Sequence, residues 1–308
     1  MSQAVSGRAW ILYAVMAVLW GMPYLFIKEA VDSFSPAGVV AGRTLIGAAV
    51  LLPIAWHRGA LRPALRVWPW VLAFGAIEMA GPFFLLSHAE QTLPSGLTGL
   101  LVATVPLFAA GIALTRGDRA VLSPVRAVGL LLGFAGLVVV VAGPGLAVAD
   151  PGAALLAIGE VLLTALMYAI APFIIATKLA GVPALGSITL SLLAVGLAYL
   201  PLALLTPQEI PTVRSSVSLV ALGLLCTALA FLGFFALIGE VGPARAPLFT
   251  YINPIVAIVL GILLLGEELS AGLLIGFPLV ILGCWLAATG GRLRPPAPPS
   301  GNGASAVS

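Results

Sequence analysis

PSGLTGLLVATVPLFAAGIALTRGDRAVLSPVRAVGLLLGFAGLVVVV, residues 94–141, is a stretch that the chain states twice. Pro94 and Pro106 punctuate a long apolar run. A polar turn follows, and Ser123, Gly129 and Gly136 mark a second run. The same landmarks return as Pro243, Pro254, Ser270, Gly276 and Gly283, at offsets of 149, 148, 147, 147 and 147. Earlier landmarks keep the same spacing: Pro23 with Pro172 (149), Trp20 with Tyr168 (148), Pro36 with Pro183 (147) and Pro53 with Pro201 (148). Single matches come easily in a chain with 35 Gly and 24 Pro, but their shared order points to two homologous halves. We place them at residues 8–146 and 147–290, with a Pro/Gly/Ser/Ala-rich disordered tail over 291–308.

Apolar residues make up 61% of the 308, and Asp, Glu, Lys and Arg together only 8%. A soluble domain carries roughly 25% charged residues, so the composition specifies a polytopic helical membrane protein. Cys226 and Cys284 lie inside apolar runs and form no metal-ligand spacing and no obvious disulfide. Arg8 is followed by an apolar run without a small-residue cleavage site, which reads as a retained first span. No Gly-rich loop ends in Gly-Lys-Ser/Thr, so there is no nucleotide-driven motor and no cofactor is expected. Nothing in the charge pattern asks for nucleic acid.

A spanning helix needs about 20 mostly apolar residues. Ten such runs occur: 10–30, 36–56, 67–88, 93–115, 125–143, 152–177, 183–205, 216–239, 245–265 and 271–290. They are too long for transmembrane strands and show no in/out alternation. With the N-terminus cytoplasmic, the inner segments hold Arg8, Arg58, Arg62, Arg66, Arg116, Arg119, Arg126, Lys178, Arg245, Arg292 and Arg294. That is 11 of the 14 basic residues, leaving Lys28, Arg43 and Arg214. Both termini are then inside. Two halves of five spans each, an odd number, must face opposite ways, which makes an inverted-topology repeat.

Charges within spans are costly, about 2.5–3.5 kcal/mol or more, and face the bundle interior or a water-filled cavity. Lys28 lies near the outer end of the first span, Arg43 in the second, Glu78 in the third and Glu160 in the sixth. At 1.5 Å per residue the last three sit about 10–15 Å below the outer surface. One reading is a structural Arg43–carboxylate pair. The other is that Glu78 or Glu160 exchanges a proton during transport, because one cation cannot neutralise two carboxylates. Trp20, Tyr24, Phe83, Phe84, Tyr168, Tyr251 and Asn253 fall near the same depth. Trp20 and Tyr168 occupy matching positions of the repeat. Asn253 precedes Pro254, whose missing N–H leaves a carbonyl free. His88 is a further candidate contact, although its place at a span end beside Glu90 also suits a surface residue. Pro23, Pro106, Pro172 and Pro254 are the candidate hinges. Gly129, Gly133 and Gly136 in the fifth span, with Gly272 and Gly276 in the tenth, have the spacing of close helix contacts, within the scaffold or in a homodimer. Glu267 and Glu268 read as a solvated turn.

These features together resemble the drug/metabolite transporter superfamily, and within it the EamA-type bacterial exporters of metabolites and amino acids. The resemblance rests on ten spans in two fives, Trp20-Gly21 with Lys28 after it, Arg43, Pro106 and Pro254, and Glu267 before a Gly-rich last span. It covers about residues 8–290. It implies a central cavity lined by spans 1–4 and 6–9, with spans 5 and 10 peripheral, in a multi-pass protein of the bacterial inner membrane. Two departures stand out: Asp118-Arg119 where the second half has Glu267, and Tyr168-Ala169 in place of Trp-Gly.

The expected function is secondary export of small metabolites by alternating access. Amino acids, aromatic and apolar ones included, are the best fit, with aromatic walls for the side chain and Arg43 for the carboxylate. The rival cargo is a sugar phosphate or nucleotide sugar, which would want more basic residues than Arg43 and Lys28. An intramembrane enzyme would need a His/Asp or Ser/His constellation at depth, and the two histidines sit at span ends.

Overall fold

The computed structural model describes residues 6–118, 122–142, 150–206, 209–243 and 245–291. Among them every regular element is helical. Ten helical runs are long and apolar enough to cross a membrane: Gly7–Ala30, Pro36–His57, Trp68–Ala89, Ser95–Thr115, Pro124–Ala142, Pro151–Lys178, Ala184–Leu205, Val213–Val241, Ala246–Leu265 and Ala271–Thr289. They correspond one to one with the runs read from the sequence. Arg119 and all of the proposed tail except Gly291 lie outside the described residues.

Side-chain caps start many of these helices. Ser6, Ser35, Asp150, Thr212 and Ser270 each accept from a backbone N–H two or three residues on. Such caps satisfy donors that the first turn leaves orphaned. The fourth span begins at Pro94 with no side-chain cap of its own. Glu267 supplies one from the turn between spans 9 and 10, accepting from Ser95 N at 2.6 Å and Gly96 N at 3.1 Å. Glu267 is therefore a cross-chain helix cap, not the solvated turn residue expected. Its charge also suits the positive end of the helix.

Several spans are interrupted, and the interruptions recur. The third widens into a π-helical turn at Ala76–Ala80 and the eighth at Leu224–Leu229, 148 residues apart by their first residues. In the third, Pro82 has no N–H for the carbonyl of Glu78, so the regular ladder cannot continue there. The carbonyl of Ala80 accepts the Tyr199 hydroxyl at 3.1 Å. In the eighth, the Thr227 hydroxyl donates to the carbonyl of Leu222 at 2.8 Å. The fourth span breaks between Val102 and Val105, and the ninth opens as a 3₁₀ helix, Ala246–Tyr251, before continuing from Asn253. Pro106 and Pro254 each stand at the first turn after a break, where the missing N–H costs nothing. Pro23 restarts the first span in the same way, whereas Pro172 sits inside one continuous sixth helix.

Spans 5 and 10 form the most extensive helix pair and lie to one side. Their glycines face each other. A Cβ on Gly283 would stand 2.2 Å from the backbone N of Gly133, and one on Gly129 2.4 Å from that of Ala287. Apolar side chains gain little by meeting each other rather than lipid, so close backbone approach is what holds such a pair. The glycine faces are thus used within the chain. The outward residues Leu131, Phe134, Leu274 and Ile275 remain exposed.

Candidate functional site

A cavity of about 280 Å³ lies at the centre of the bundle. Its walls come from spans 1, 2, 3, 4, 6, 8 and 9. Eight of the nine expected contact residues line it: Trp20, Tyr24, Arg43, Glu78, Phe83, Tyr168, Tyr251 and Asn253. The three helix breaks at Pro23, Pro106 and Pro254 open onto it as well. The interruptions place irregular backbone where it borders a cavity, the setting in which a membrane protein tolerates it.

Arg43 is 6% exposed and has no carboxylate partner among the described residues. Its Nε donates to Thr227 Oγ1 at 3.0 Å, and its guanidinium carbon lies 3.7 Å from the centre of the Phe83 ring. The π-helical turn of the eighth span presents Thr227, and the hydroxyl that accepts from Arg43 donates its own hydrogen bond to the Leu222 carbonyl. The Arg43–carboxylate pair expected from the sequence is therefore replaced by a hydroxyl and an aromatic face. The terminal nitrogens of Arg43 make no hydrogen bond to a described residue, so the planar fork remains unspent beside the cavity. Glu78 likewise lines the cavity with no hydrogen-bond or ion-pair partner among the described residues. Asn253 Oδ1 is buried and unpartnered.

The aromatic wall is built from both halves. Trp20 packs against Phe231, Phe234 and Phe249 with ring centres 5.9, 5.0 and 5.4 Å away. Tyr24 is buried because Gly99 lets the fourth span come against its ring, where a Cβ would stand 3.2 Å from Tyr24 Cδ2.

Two expected residues fall elsewhere. His88 and Glu160 do not line the cavity but pair with each other, Nδ1 to Oε2 at 2.9 Å, with the His88 side chain 44% exposed. Their spans run side by side, so one covers the other's carboxylate. Glu90, two residues after His88, is fully buried, and neither carboxyl oxygen has a side-chain hydrogen-bond partner. Sequence reasoning also passed over Phe231 and Thr250 on the cavity wall, and Thr227, which holds the wall residue Arg43. Thr227 carried a signal, a hydroxyl in an otherwise apolar run, but nothing in the sequence paired it with Arg43.

The end of the bundle that the sequence places outside is fastened between distant parts of the chain. Arg214 binds Glu29 at 2.6 Å, Ser218 donates to the other Glu29 oxygen, and Ser33 donates to Ser215 at 3.1 Å. Lys28 Nζ donates to the carbonyls of Glu90 at 2.6 Å and Leu93 at 3.1 Å. The Glu267 cap on Ser95 and Gly96 completes the set. At the opposite end Glu240 takes Arg8 and Ser6, and Tyr13 donates to the Arg245 carbonyl.

A ten-span helical bundle around a charged and aromatic central cavity is the architecture of a membrane carrier. The chain belongs to the EamA-like transporter family, whose model matches it over residues 8–142 and again over 155–289. It is 27% identical to the uncharacterized inner membrane transporter YedA of Escherichia coli K12, over 91% of this chain and 90% of that one. It is 26% identical to the uncharacterized transporter YvbV of Bacillus subtilis 168, over 94% of each chain. It is also 27% identical to a probable terminal-alkyne amino-acid exporter of Streptantibioticus cattleyicolor, over 92% and 93% of the two chains. A crystal structure of a protein 22% identical to it shares the fold, with a TM-score of 0.64 over 91% of this chain and 96% of the other.

Proposed function

We propose that this transporter exports amino acids by alternating access across the bacterial inner membrane, through the cavity between two inverted five-span repeats. The observation that carries the amino-acid assignment is a pair of unspent groups lining the same cavity. Arg43 offers a guanidinium fork and Glu78 a carboxyl, the complements of an α-carboxylate and an α-ammonium. Asn253 Oδ1 adds a buried acceptor for an ammonium hydrogen. Tyr24, Trp20, Phe231 and Tyr168 surround the remaining space and suit an apolar or aromatic side chain. A sugar phosphate carries two negative charges and would leave Glu78 opposed to it. The amino-acid exporter of Streptantibioticus among the relatives supports the same cargo class.

The repeat is supported by the paired π-helical turns and by the two successive family matches. Cytoplasmic termini follow from the basic residues. In this orientation the more extensively fastened end is outside, which supports reading this conformation as closed on that side. Self-association through spans 5 and 10 would use their outward apolar faces, since the glycines are already paired within the chain.

The test is counterflow in proteoliposomes across amino acids, nucleosides and sugar phosphates. We expect exchange of amino acids and its loss in Arg43→Gln and in Glu78→Gln with the proteins still folded. Exchange of sugar phosphates alone would overturn the assignment. An imposed pH gradient separates the two driving modes. Equal distribution identifies an uncoupled carrier, and accumulation that follows the gradient and disappears in Glu78→Gln identifies proton antiport.

A further inference from the structure

Glu90 is the one acid among the described residues with no accessible surface and no hydrogen-bond partner on either carboxyl oxygen. It stands just beyond the third span, at the closed outside end. Three elements converge on it. Lys28 of the first span spends its hydrogen bonds on the backbone carbonyls of Glu90 and Leu93 and not on the carboxylate. Glu267, in the turn between spans 9 and 10, is committed to the Ser95 and Gly96 amides. Ser95 Oγ beside it is also buried without a partner. The charged and titratable groups whose fields reach Glu90 are Lys28 and Tyr24 of the first span, Arg43 of the second and Glu267.

An ionised carboxylate sealed from water without a side-chain partner is costly, and a proton removes the cost of the charge. Building on the alternating-access reading above, we propose that Glu90 is a proton-binding site of the outer gate. It takes a proton from external water when the 90–96 turn closes and returns it to the same side when the turn opens. The step is a carboxylate accepting one proton from hydronium and later releasing it to water. No charge crosses the membrane, so external acidity biases the gate without driving transport.

Burial pushes the Glu90 carboxyl well above the ordinary carboxylate range, and Glu267 adds to that. Lys28 and Arg43 pull it back without overcoming the burial. Opening hydrates the group and returns it toward the usual value of about 4.3. The closed state thus holds the proton over a pH range in which the open state has lost it. Below that range both states are protonated and the gate ignores pH. Within it, each unit rise in external pH favours opening by up to about tenfold.

The experiment uses Ala103→Cys, a cavity-lining position, as reporter. Labelling by a membrane-impermeant thiol reagent from outside is followed against external pH in a Cys226→Ala background, because Cys226 also lines the cavity, while Cys284 is buried away from it. We expect labelling to rise with pH in the reporter chain and in its Glu160→Gln version. In Glu90→Gln, an uncharged isostere, labelling should stay low and flat. Reporter labelling independent of pH overturns the proposal whether or not the Glu90 variant folds. A pH profile unchanged by Glu90→Gln overturns it too, while leaving alternating access intact. The Glu267→Gln reporter, which weakens the outer clamp, must admit reagent. No labelling there at any pH would sink the alternating-access reading and the gate with it.

Discussion

The guanidinium carbon of Arg43 lies over Phe83, 3.7 Å from the ring centre, while its Nε donates to Thr227 on the eighth span. One contact belongs to the first half of the chain and the other to the second. Arg43 therefore ties the halves together without consuming the fork that a carboxylate would need. A buried cation over an aromatic face contributes about 2 kcal/mol. Phe83→Leu should lower the unfolding midpoint, and a double-mutant cycle with Arg43→Gln should give a coupling of that order. Additive effects of the two substitutions would show that the stacking contributes nothing.

Glu267 holds the N-terminus of the fourth span through two charge-assisted hydrogen bonds. Such bonds are each worth about 1.5–3 kcal/mol. Glu267→Gln keeps the shape and loses the charge, so it should lower thermal stability measurably. Glu268→Gln, at an exposed neighbour, should not. Equal effects in a melting experiment would remove the cap from the list of what closes this end.

His88 and Glu160 pair at 2.9 Å, but the histidine is nearly half exposed. An ion pair in that setting contributes less than about 1 kcal/mol. His88→Gln should leave the exchange rate of the preferred substrate within about twofold of the parent. A tenfold fall, measured in proteoliposomes, would place the pair in the transport cycle after all.

Backbone atoms meet where the fifth and tenth spans cross at Gly283 and Gly133. Gly283→Val puts atoms where the facing backbone already stands, and the neighbour cannot move aside as a side chain would. Folded yield in detergent should fall severalfold. Leu131→Ala, on the outward face of the same pair, should leave it nearly unchanged. Similar losses from both would mean that the outward face is itself packed, as in a homodimer.

Orientation is open to direct labelling. Gln91→Cys and Arg62→Cys occupy exposed positions at opposite ends of the third span. An impermeant reagent on intact cells should reach the first and not the second. The reverse pattern would turn the molecule over and place the fastened end inside.

Ten spans, their order and the close glycine contacts of the fifth and tenth were legible in the chain itself, while the peripheral place of that pair was implied by the family resemblance. Apolar run length decides whether a segment can cross a membrane, and Gly spacing marks where helices come close, both of them local properties. Most of the cavity wall was legible too, since a polar or aromatic residue at mid-span must turn from lipid toward the interior. Partnership was not. Arg43 was expected to pair with a carboxylate, yet a hydroxyl 184 residues away and a ring on the next span hold it. Glu267 looked solvated and caps a helix 171 residues back, while nothing local to Glu90 showed that it is sealed. Sequence determines how deep a residue sits along its own helix. Which face it turns, and toward whom, depends on how ten helices rotate and cross, and only the packed bundle decides that.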